Sequence, residues 1–148
     1  MSVIYAADEQ KEARIRMGAL LDALEAQELD KVIEILNATF ASIPYGLWQK
    51  ENEHFYHALI HLTFSLMGAY VQSEVHTAKG RCDALVRTER YIYAFEFKLD
   101  KSAEDALRQI KEKGYLAPFA DAPQEKIAVG VNFSSADKRV EGHLVERW

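Results

Sequence analysis

The most constraining feature of the chain is the stretch GRCDALVRTERYIYAFEFKLD, residues 80–100. Tyr91, Tyr93, Phe95, Phe97 and Leu99 alternate with the period of two that a strand imposes, so five large apolar side chains share one face. The run 82–88 before them is short and mostly apolar. The two segments read as strands at about 82–88 and 91–99, joined by a tight turn. Centring that turn between Glu89 and Arg90 sets Asp83 directly opposite Glu96, with Cβ atoms about 4.5–5.5 Å apart. Lys98 lies two residues further along the same face, away from the aromatic wall. Cys82 then falls on the face opposite Asp83, as a small buried apolar residue. A slip of one residue would send the two carboxylates to opposite faces, so the register carries the reading.

Two carboxylates held that close repel each other unless something cationic or a proton intervenes. A shared proton, an Arg or Lys, or a divalent metal would each resolve the conflict. Hard oxygen donors suit Mg²⁺ or Mn²⁺. Lys98 beside such an ion would orient a water or offset charge building on a phosphate. The charge distribution points the same way. The 148-residue chain has a formal net charge of −5, which argues against a protein that coats nucleic acid by bulk charge. Residues 1–60 hold 5 Lys/Arg against 10 Asp/Glu, whereas residues 79–113 hold 9 against 7. Neutralising Asp83 and Glu96 would make the second segment more positive still. A lone Glu-x-Lys on the wet face of a strand is a common and usually silent pattern, so the whole set carries the weight.

The remaining elements frame that hairpin. Residues 8–25 are highly charged and read as a solvated helix or frayed lead-in. In ELDKVIEILNATF, 28–40, Leu29, Val32, Ile33, Leu36 and Phe40 recur at helical spacing, and SIPYG then breaks the helix. Residues 50–67 form a second amphipathic helix ending at Gly68. YVQSEV, 70–75, reads as a strand. SAED, 102–105, is a capping box with Ser102 as N-cap, opening a helix that runs to Lys113 and stops at Gly114. KIAVGVNF, 126–133, is apolar at nearly every position, as a central parallel strand is, and HLVERW adds a last strand. Residues 91–133 are therefore a βαβ unit with parallel strands. The expected architecture is a mixed sheet flanked by helices, with an N-terminal helical extension at 1–43 and the main domain at 44–148.

The combination resembles the PD-(D/E)XK nuclease superfamily. The matching segments are NEHFYHAL, SEVHTAKGRCDALV, YAFEFKL, ALRQIKEKGY and VGVNF, across roughly residues 28–148. The branch most similar is the nuclease-like domain at the carboxyl end of bacterial AAA-ATPase-like proteins. The resemblance implies a restriction-endonuclease-like αβββαβ core and Mg²⁺- or Mn²⁺-dependent hydrolysis of phosphodiesters in nucleic acid, with DNA the first expectation and RNA left open. It also implies metal binding by Asp83 and Glu96, catalytic help from Lys98, and completion of the site by Glu53 on the first helix. Gln109 and Tyr115 become candidate substrate contacts. Cys82 stands where the superfamily's Pro would be. An AAA-ATPase-like protein becomes a candidate partner. A silent nucleic-acid-binding or protein-interaction module that keeps the fold is the alternative.

Other residues carry less. Glu51 is the fallback for Glu53. His54, His57 and His61 lack the HExxH pattern and any cysteine cluster, so they read as ordinary helix histidines rather than a zinc site. Glu74 faces the site or is a strand-end charge. One cysteine and no secretory signal or membrane-length apolar run imply a reducing cytoplasm and no membrane. The apolar stripe of residues 29–40 exceeds what a small domain would bury, which predicts a homodimer through that helix.

Overall fold

The computed structural model describes residues 18–43, 71–77 and 80–148, with single positions at 11 and 58. Residues 18–25 form a helix, α1, followed by α2 (Leu29–Ala41). The sheet comprises β1 (Val71–Thr77), β2 (Gly80–Arg87), β3 (Tyr91–Leu99), β4 (Glu125–Ser134) and β5 (Arg139–Arg147), with helix α3 (Ala103–Lys113) between β3 and β4. The strands lie side by side in the order β1-β2-β3-β4-β5. Only β3 and β4 pair in parallel; the other neighbours are antiparallel. This is the mixed, helix-flanked sheet expected from the sequence. The second helix expected at 50–67 lies outside the described residues.

The hairpin register is the expected one. Ala84 pairs with Phe95 and Arg87 with Ile92 across β2 and β3. Thr88 closes the two-residue loop: its N–H donates to the Tyr91 carbonyl at 2.8 Å, and the Tyr91 N–H donates to its Oγ1 at 2.9 Å. A side-chain oxygen here replaces the Asn-Gly chemistry of the tightest hairpins.

Helices cover both faces of the sheet. On one, the buried residues of α1 and α2 pack on Tyr93, Phe95 and Phe97 of β3 and on the alternate residues of β4. The α2 stripe Leu29, Val32, Ile33, Leu36 and Phe40 is buried there in full. This removes the reason for expecting a homodimer through that helix, because the sheet already covers the stripe. Nor is α1 a purely solvated lead-in: Leu20, Ala23 and Leu24 are buried, and the Tyr93 hydroxyl donates to the Leu24 carbonyl at 2.5 Å. Asn37 ties α2 to β5, accepting from the Val140 N–H at 2.7 Å and donating to the Val140 carbonyl at 3.4 Å. The described helices of the N-terminal extension thus supply one wall of a core shared with the sheet.

On the other face lies α3. Its start is the expected cap, with the Asp105 N–H donating to Ser102 Oγ at 3.1 Å, and its end is Gly114 in the left-handed region at φ 60°. The floor beneath it is low, made by Ala94, Ala128 and Gly130. At Gly130 the approach is so close that a Cβ would lie 2.5 Å from the Ala103 carbonyl oxygen and 2.6 Å from the Leu107 nitrogen. A glycine in an otherwise apolar strand marks this kind of backbone approach. Gly130 is the β4 partner of Glu96, so the contact that seats α3 is next to the candidate site.

Candidate active site

The β2–β3 ladder runs from Arg87 back to Ala84. At the next position a side chain takes over: Asp83 Oδ2 accepts the Phe97 N–H at 2.9 Å. A backbone donor released where the strands part is thus satisfied by the carboxylate, which also fixes its position. Cys82 departs from the expectation. It packs with Leu85, Ala94 and Ile110 on the α3 side of the sheet, and its thiol lies against the Ala84 and Phe95 carbonyls at 3.3 and 3.6 Å. Strict alternation fails at Asp83 because the ladder itself is interrupted there. Burial, then the Glu96 and Asp83 carboxylates, push the Cys82 thiol far up, so it stays protonated and inert as a nucleophile.

Glu96 is only 2% exposed. Its Oε1 accepts a hydrogen from Gln109 Nε2 at 2.6 Å. The same nitrogen donates to the Tyr115 hydroxyl at 3.1 Å, and Gln109 Oε1 accepts from Lys98 Nζ. One amide thus holds the acid, the lysine and the tyrosine together. The amide suits the task because it offers a donor to the carboxylate and an acceptor to the ammonium. Tyr115 is 1% exposed, and its phenol is pushed up to about 12 by burial first and by the Glu96 and Asp83 charges among the smaller causes. It is a neutral support beneath Gln109, with almost no surface to offer a substrate. The Asp83 carboxylate accepts from the N–H of Phe97, the residue next to Glu96, which sets the two acids in one locality.

The structure therefore brings together Asp83, Glu96, Lys98, Gln109 and Tyr115. Glu53, its fallback Glu51, and His54, His57 and His61 lie outside the described residues, as does the side chain of Glu74. Among the described residues no three His, Cys, Asp or Glu side chains form a metal-binding group. Asp83 and Glu96 would offer two oxygen donors on adjoining strands, and the burial of Glu96 favours a compensating cation. With Cys82 held as a thiol, the donors fit a hard divalent ion. What the sequence did not reveal was the linking role of Gln109, which only the family resemblance had marked as near the site.

A mixed sheet with Asp, Glu and Lys gathered where a hairpin parts defines a restriction-endonuclease-like fold. The chain belongs to the PD-(D/E)XK nuclease superfamily, whose profile matches residues 51–142. Nucleases of this superfamily generally use divalent metals. The chain is also similar to an uncharacterized protein in the vnfD 5′ region of Azotobacter chroococcum mcd 1, at 33% identity over 136 residues. That match covers 87% of this chain and 26% of the relative, so the chain spans about a quarter of the relative's length. No solved structure matches the chain significantly. Among the described residues no helix is long and apolar enough to cross a membrane.

Proposed function

We propose that the chain is a metal-dependent nuclease that hydrolyses phosphodiester bonds in DNA. The observation that supports this most is the clamp in which Gln109 bonds Glu96 and Lys98 at once. A surface Glu-x-Lys has no need of such an arrangement. Asp83 and Glu96, with Glu53, would hold Mg²⁺ or Mn²⁺. The bound ion would supply Lewis acidity at the scissile phosphate and a more acidic water.

Hydrolysis forms a bond from a water oxygen to phosphorus, breaks a bond from phosphorus to a sugar oxygen, and leaves a proton on the departing oxygen. Lys98 has one hydrogen committed to Gln109 and two left to donate to phosphate oxygens or to the attacking water. Its charge is aimed at the place where negative charge grows, so it acts mainly in the transition state. Gln109 limits the rotamers of Lys98 and Glu96, so little reorganisation is needed at the moment of reaction. Asp83 is held by the Phe97 N–H, which keeps a ligand oxygen fixed on the strand.

The test is incubation of the purified chain with labelled single- and double-stranded DNA and with RNA, in Mg²⁺, in Mn²⁺ and in EDTA. DNA cleavage that requires the metal and vanishes in Glu96→Gln supports the proposal. A folded chain that binds DNA and never cuts it would be the silent module instead.

A further inference from the structure

Lys98 opens onto a cleft of about 270 Å³ that runs along the outer face of α3. Lys101, Asp105, Arg108, Glu112 and Lys113 line it, with Gln109 at its inner edge. Positions 105, 108 and 112 follow the helical repeat and form one face of α3, and Lys101 lines the cleft from just ahead of the helix N-cap, Ser102. The cleft holds four cations against two carboxylates, in a chain whose overall charge is −5. Of those cations, Arg108 is paired with Asp105. Lys101 and Lys113 form no ion pair among the described residues. Lys111, which lies outside the cleft, pairs with Glu146 of β5 at 2.5 Å. Positive charge is thus left uncompensated on the one side of α3 that leads away from Lys98.

We propose that this cleft binds the phosphates of the substrate strand that flank the scissile one, with Lys101 and Lys113 as the principal contacts and Arg108 joining when phosphate displaces Asp105. The inference rests on the nuclease reading and adds the path that the strand takes. The partner is a phosphodiester backbone, because flexible cations spread along one cleft with no aromatic side chain among its lining residues recognise charge and not bases. A lysine tracking a phosphate contributes to affinity through counterion release, so its removal shows in the salt dependence. Asp105 and Glu112 oppose the same ligand, and removing either charge has the opposite effect.

The experiment measures binding of fluorescein-labelled DNA, with an RNA of the same sequence as a second arm, to the full chain in Ca²⁺ across a salt series. Cleavage kinetics in Mg²⁺ follow on the same variants. Lys101→Ala and Lys113→Ala are each expected to lower the salt slope by roughly 0.9 for duplex and roughly 0.7 for single strands. They should raise KM and leave kcat near wild type. Asp105→Asn should tighten binding, a change that lost structure would not produce. Lys111→Ala, outside the cleft and paired with Glu146, should match wild type. If the wild type binds and cuts but Lys101→Ala and Lys113→Ala bind with its slope and affinity, the cleft is not the strand path and the proposal falls alone. If the wild type neither binds nor cuts DNA or RNA, the nuclease reading falls and takes this inference with it.

Discussion

Adding one methyl group at Gly130 should both destabilise the protein and disarm the site. The new Cβ would lie 2.5 Å from the Ala103 carbonyl oxygen, 2.6 Å from the Leu107 nitrogen and 3.1 Å from the Leu107 Cα, whereas ordinary contact begins at 3.4 Å. All three are helix backbone atoms, so no rotamer change relieves the clash. The helix must retreat by about 0.9 Å, the difference between 3.4 and 2.5 Å. Overpacking of this kind costs roughly 1–3 kcal/mol. For a domain of this size each kcal/mol lowers Tm by roughly 2–4 °C. The functional effect is separate. Gln109 rides on that helix, and a shift of this size would stretch its 2.6 Å bond to Glu96 to the limit of a hydrogen bond. Misplacement by about 1 Å at a site can cost about a hundredfold in rate. Thermal unfolding followed by circular dichroism reads the first effect, and DNA cleavage well below Tm reads the second. Gly142→Ala is the control, since its Cβ would meet nothing within 4 Å. A Gly130→Ala protein with wild-type Tm and wild-type cleavage would refute the claim that this contact seats α3 and its glutamine.

Other expectations follow from the same geometry. Gln109→Leu should lower kcat by roughly 10–100-fold, the usual effect of losing a group that orients a ligand, with KM nearly unchanged; Gln109→Glu should not rescue it, because a second carboxylate would face Glu96. Lys98→Ala should leave Mn²⁺ affinity about intact, as calorimetry would show, while cleavage at saturating metal falls by a large factor. Ser102→Ala removes the α3 cap and should cost about 1 kcal/mol in urea unfolding. Asp100 is held below the usual carboxylate range first by the Ser135 hydroxyl, at 2.6 Å, and then by the Ser135 N–H, at 2.9 Å. Its lowered value means its contribution to stability is present above the ordinary carboxylate range and is lost as pH falls through the folded-state value. Asp100→Asn should therefore flatten the acid limb of the stability–pH curve slightly and leave the protein folded, since Asn tolerates the positive φ of 56° found there.

Much of the fold was legible because it rests on local rules. The aromatic alternation of β3, the apolar run of β4, the Ser102 cap and the Gly114 stop each follow from neighbours in the chain. The hairpin register was legible for the same reason, since a two-residue loop leaves little freedom. The readings that missed depend on tertiary contacts. The α2 stripe looked excessive because the chain gives no direct measure of how much sheet lies beneath it. Cys82 left its expected face because Asp83 satisfies a backbone N–H in place of a ladder bond, and alternation cannot show such an exchange. The Gln109 clamp joins a helix to a strand through a crossover, so the resemblance could mark the glutamine as near the site without showing that it bonds both Glu96 and Lys98.

The central claim is that Asp83 and Glu96 hold a catalytic divalent ion, and Mn²⁺ titration calorimetry on the wild type and Asp83→Asn tests it most directly. Asn can still accept the Phe97 N–H, so the strand end should stay in place while the ligand charge is lost. The account predicts measurable Mn²⁺ binding by the wild type and an affinity weaker by about tenfold or more in Asp83→Asn. Equal Mn²⁺ affinity in the two proteins would contradict it.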